Sequence, residues 1–151
     1  MDGARAFEHA TLQNTLVAVW FGDPTLSEMR RFVRELQELW ALHPAGIHLL
    51  NVVGERTNVP DAAVRELIRQ QFESMRGRLL CMAVAMEKSG VTGTLSRAVL
   101  TTLLTMARRP FKMSIHPQRH EAANWLAQQP DVPSAARLLE LTRALERGRA
   151  A

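Results

Sequence analysis

Residues able to do chemistry are few in this chain, and they are scattered. Cys81 is the only cysteine, so no intrachain disulfide can form. It sits inside the uncharged run Leu79–Met86, where a thiol serves as a small core residue and no neighbour in sequence would lower its pKa. Of the histidines, His48 and His116 fall on predicted strands and His43 and His120 near element ends. No His-x-x-x-His pair or cysteine-containing ligand spacing joins them, so no metal and no cofactor is expected. Ser, His and Asp occur without a Gly-x-Ser-x-Gly elbow. Glu55 and Glu87 lie in loops that could meet at one sheet edge as paired carboxylates. Two acids among 15 are thin grounds for acid–base chemistry, and a non-enzyme is expected.

The polar stretch Glu87–Thr94 follows the apolar run directly. Ser89, Thr92 and Thr94 offer hydroxyls there, and Gly90 and Gly93 let backbone approach a ligand. A helix beginning at Leu95 or Ser96 would favour an anion, and ligands commonly bind at this end of an α/β sheet. Gly90-Val91-Thr92-Gly93 matches neither the Walker nor the Rossmann fingerprint. The plainer alternative is a flexible connecting loop with Thr94 or Ser96 as helix cap.

Positioning these residues falls to a chain of 151 residues, the length of one domain. Its hydrophobic share is 46%, and no stretch approaches the roughly 18 apolar residues of a membrane span. Met1–Phe7 has an acid where a signal peptide would carry basic residues, so a cytoplasmic protein is expected. The net charge is +4, and all basic residues are arginine except Lys88 and Lys112. The arginines alternate with glutamates, as in Arg30-Arg31…Arg34-Glu35, which is the pattern of solvated helix faces. The densest patch, Arg108-Arg109 with Lys112, sits at a helix end and has no recognised reader motif, so nucleic acid is not an expected partner.

The elements alternate. Phe7–Gln13 and Thr15–Phe21 read as a hairpin split at Gln13-Asn14. Asp23-Pro24-Thr25 opens a helix with Glu28 in capping-box spacing and Met29, Phe32, Val33, Leu36, Leu39 and Trp40 on one face. Ile47–Val53 is a strand, Asp61 caps a helix to about Met75, and Leu79–Met86 is a central strand covered on both faces. A third helix runs to Met106, then a strand over Phe111–His116, a helix over Gln118–Gln129, a Pro-rich linker and a final helix over Ser134–Arg147. The fold expected is α/β, with a mixed, mostly parallel sheet of about five strands opened by an N-terminal hairpin and covered by helices. Residues 1–129 form the domain, and 130–151 a linker and C-terminal amphipathic helix.

The closing block Phe111-Lys112-Met113-Ser114-Ile115-His116-Pro117…Glu121-Ala122-Ala123-Asn124-Trp125-Leu126, together with the opening hairpin and βα order, resembles a STAS-like domain of the SpoIIAA-like group, related to the Sec14 fold. The resemblance covers roughly residues 7–129. It implies a regulatory module that docks a protein partner or dimerises or, on the Sec14 side, a carrier of a small apolar ligand or lipid. Anti-sigma-factor antagonists of this fold are phosphorylated on a serine just after an aspartate at the start of the second helix. Here the matching pair is Asp61-Ala62, which lacks the hydroxyl, and Thr57 in the preceding loop is the substitute candidate.

The third helix is apolar nearly all round, with only Thr101, Thr102 and Thr105 on its polar side. Leu100, Leu103, Leu104 and Met106 therefore form either a partner surface or a face buried under the C-terminal helix. The functional expectation is a non-enzymatic interaction module, a protein partner or second copy docking there. A lipid-like ligand is the alternative.

Overall fold

Apolar runs and amphipathic stretches resolve into five strands and four helices in a computed structural model that describes residues 5–58, 60–87, 90, 97–98 and 111–150. The hairpin is β1 (Phe7–Leu12) and β2 (Thr15–Trp20), joined at Gln13, whose φ of 54° is left-handed. Then come α1 (Leu26–Leu42), β3 (Ile47–Val53), α2 (Ala62–Ser74) and β4 (Leu79–Met86). β5 (Lys112–His116), α3 (Arg119–Ala127) and α4 (Ala135–Ala150) complete the order. The third helix expected from the sequence, with Leu100, Leu103, Leu104 and Met106, and the loop hydroxyls of Ser89, Thr92 and Thr94 lie outside the described residues. Among those described, no helix is long and apolar enough to cross a membrane.

The sheet order is β1-β2-β3-β4-β5, antiparallel at β1–β2 and parallel thereafter. β3 is therefore the middle strand, and β4, expected at the centre from its uncharged run, stands one place from the edge. It is an interior strand all the same, which is why both its faces are apolar. Leu80 departs from that pattern at 40% exposed. The register shifts at Ile47/His48, which pairs Ile47 with Leu79 and His48 with Cys81 and leaves Leu80 unmatched. Its side chain lies across Gly46, where an added Cβ would meet it at 2.5 Å.

Two cores flank the sheet. α1 and α2 cover one face, where Phe7, Trp20 and Phe32 form an aromatic cluster with centroids 4.6–5.6 Å apart. α3 and α4 cover the other, with Ala122, Ala123, Leu126 and Leu138 fully buried against Val17, Leu50, Ala83 and Ala85. Alanine facing alanine lets α3 lie close on β4. Thr25 caps α1 by accepting from the Glu28 amide at 3.2 Å, but the capping box is not closed. Glu28 reaches instead to the Ala6 amide (3.1 Å) and Arg31 (2.8 Å), tying the entry of β1 to α1. Asp61 caps α2 through the Val64 amide, 2.9 Å, as its type and place predict.

The C-terminal helix extends to Ala150, past the expected Arg147, and is held into the second core by one arginine. Arg119 donates to both Glu87 oxygens (2.6 and 3.1 Å), to Glu146 and to Thr142 Oγ1 (3.4 Å), joining the end of β4 to α3 and α4. Arg119→Met would leave two part-buried carboxylates without their counter-ion. It should destabilise the fold by about 1–3 kcal/mol in urea unfolding, with Glu87→Gln adding little in the Arg119→Met background.

Candidate functional site

Strands of a parallel sheet end together, and the loops leaving them form a roof. Here Gly22 and Asp23 follow β2, and residues 54–60 follow β3. Thr57 is buried at 6% exposed and donates its hydroxyl to the Gly22 carbonyl at 3.1 Å. Asn58 donates its amide N–H and its side-chain amide to the two Asp23 oxygens at 2.8 and 3.4 Å. Arg65, one turn into α2, donates Nη1 to the Pro60 carbonyl at 3.1 Å. These bonds lace the two loops over the strand ends.

Beneath that roof the packing among the described residues is incomplete. A cavity of about 110 Å³ lies between α1, α2 and the C-terminal half of the sheet. α1 gives it Met29, Phe32 and Leu36; α2 gives Ile68, Phe72 and Met75; β4 gives Met82, Val84 and Met86. Trp20 and Asn51 lie in the wall, where the indole N–H donates to Asn51 Oδ1 at 2.7 Å. The wall around the cavity forgoes van der Waals contacts that a close-packed interior would make. A guest that fills it recovers that loss.

The residues singled out for chemistry are not gathered here. Glu87, a candidate acid, holds Arg119. Thr57 lines the cavity, but its hydroxyl faces inward, so phosphorylation would require the loop to open. Ala62 is the first residue of α2, directly after the Asp61 cap. Ser114 and His116 share a 2.8 Å hydrogen bond on the edge strand β5. Among the described residues no three His, Cys, Asp or Glu side chains converge as a metal site would require.

A second, more open cleft lies at the opposite end of the strands, lined in part by Asn14, His48, Cys81, Lys112 and Asp131. His48 and Cys81 are register partners on β3 and β4, so their side chains share one face. Burial pushes the Cys81 thiol up against the opposing pull of Lys112, which keeps it protonated and a poor nucleophile. Its Sγ sits 3.8 Å from Gln129 Oε1. His48 is 2% exposed, and its Nδ1 finds no hydrogen-bond partner among the described residues.

The cavity was hidden in the sequence because its wall residues each read as ordinary core. Its polar members carry no motif: Asn51 sits within an apolar strand, and Arg65 reads as one more arginine on a solvated face. Comparison of the chain with protein families, with curated proteins and with solved structures finds no match.

Burial holds His48 below its ordinary value of 6.5, and Asp131 opposes this only in part. The unfolded chain thus binds the proton more readily than the folded one. The contribution to stability is complete above the unfolded value and is lost as pH falls through the lowered one. Urea unfolding of wild type and His48→Leu at pH 7.5 and 5.0 should show the difference moving in favour of the variant at the lower pH.

Proposed function

We propose that this chain is a non-enzymatic binding module whose guest is a small, largely apolar molecule held between α1, α2 and the sheet. The observation that carries the reading is the chemistry of the cavity wall. Asn51 Oδ1 accepts from the Trp20 indole and the Thr57 hydroxyl is held by Gly22, so apart from Asn58, Gln71 and Arg65 at the rim what faces a guest is mostly aliphatic, aromatic and thioether surface. A catalytic site would instead aim such groups at the reacting atoms. The position, at the C-terminal ends of parallel strands, is where open α/β sheets take ligands.

Volume sets the size of the guest. The space is smaller than the roughly 150 Å³ cavity that accepts benzene, so the buried part is a short alkyl chain or part of a ring rather than a whole lipid. Met29, Met75, Met82 and Met86 are flexible enough to adapt to its shape. The opening hairpin and consecutive parallel strands also support kinship with STAS-like and Sec14-related domains, for which apolar guests are one expectation. 1-Butanol and 1-hexanol should each raise the Tm of the full chain, and Ile68→Trp, which fills the cavity, should remove the effect. Absence of any shift in the wild type would overturn the reading.

A protein partner is the second reading, favoured by the apolar pattern Leu100, Leu103, Leu104 and Met106 in the sequence. If that face docks a second copy, Leu103→Glu with Leu104→Glu should convert a dimer to a monomer in light scattering. A wild type that is monomeric at all concentrations would exclude self-association.

A further inference from the structure

We infer that the guest is a small monocarboxylate, its apolar body in the cavity and its carboxylate on Arg65. The inference rests on the apolar-guest reading above and goes beyond it by assigning the polar end. Arg65 is the one ionisable side chain among the described residues that line the cavity. It is half-buried, and among those residues only the Pro60 carbonyl accepts from it. It makes no ion pair with any described carboxylate. A guanidinium carries five N–H donors in a planar fork that matches a carboxylate, so most of its donor capacity is uncommitted. By contrast Arg31, Arg69, Arg76 and Arg119 each have a glutamate within reach.

The surroundings favour a single negative charge. Asp23 and Asp61 flank the roof, and neither lines the cavity. Asp23 accepts from the Asn58 amide groups and Asp61 from the Val64 amide, so both serve the fold. Their charges disfavour a phosphate dianion more than a carboxylate monoanion, because the repulsion scales with the charge brought in. The first turn of α2, where Arg65 sits, adds the positive end of a helix dipole that Asp61 offsets in part. An acid with a short alkyl body satisfies the volume, the wall and the arginine together.

Calorimetric titration of the full chain with hexanoate and with 1-hexanol tests this. The expected result is hexanoate binding at least tenfold more tightly than hexanol at low salt. Arg65→Gln should erase that preference while leaving hexanol within about twofold of its wild-type affinity, with the fold checked by circular dichroism. Ile68→Trp should remove both ligands. Equal affinity for acid and alcohol would overturn the carboxylate assignment and leave the apolar-guest reading standing. Binding of neither would overturn both, and hexanoate binding that survives Ile68→Trp would place the acid elsewhere and overturn the assignment.

Discussion

A parallel sheet must be buried on both faces, and the strand order of this one makes that a problem. Strands β2 to β5 follow one another in space as they do in sequence. Right-handed crossovers between strands so ordered deliver their helices to the same side. α1 and α2 are on that side, packed on the aromatic cluster of Phe7, Trp20 and Phe32. Covering the other side therefore falls to what comes after the last strand. That constraint explains why α3 and α4 are integral to the core and why a single arginine is bonded at once to Glu87, just after β4, and to groups on α4.

The same division separates the two faces in character. The face under α3 and α4 is tight, with alanines on helix and strand and Leu126 and Leu138 fully enclosed. The face under α1 and α2 is built of larger and more flexible side chains, and there the packing leaves a gap. Methionine and phenylalanine from three elements converge beneath a roof in which Thr57, Asn58 and Asp23 are occupied by hydrogen bonds of the loops themselves. Among the described residues the apolar gap thus lies on this side of the sheet, at the end where the connecting loops are laced together.

Much of this architecture was legible in the residues. The uncharged run Leu79–Met86, the alternation of strands and amphipathic helices, the face of α1 and the Asp61 cap each follow from local pattern, and each described element stands within three residues of where that pattern put it. What local pattern cannot carry is contact over distance. Glu28 has the spacing of a capping box, yet a better partner, the Ala6 amide, arrives from 22 residues away. Glu87 reads as a loop acid until Arg119 is folded onto it. Thr57 was singled out for its hydroxyl, and the fold uses that hydroxyl to hold Gly22. The cavity is invisible in sequence for a deeper reason: a void is defined by what several ordinary core residues fail to fill.

The late position of α3 and α4 has a bearing on how the chain is made. Every strand leaves the ribosome before the helices that cover the second face. Until α4 has been synthesised, Val17, Val19, Leu50 and Val52 belong to a sheet with one side open to water. Synthesis at roughly 5–20 residues per second leaves that apolar side bare for a second or more. During that interval the nascent chain exposes apolar surface of the kind chaperones bind, and the Arg119–Glu146 contact can form only once α4 has been made.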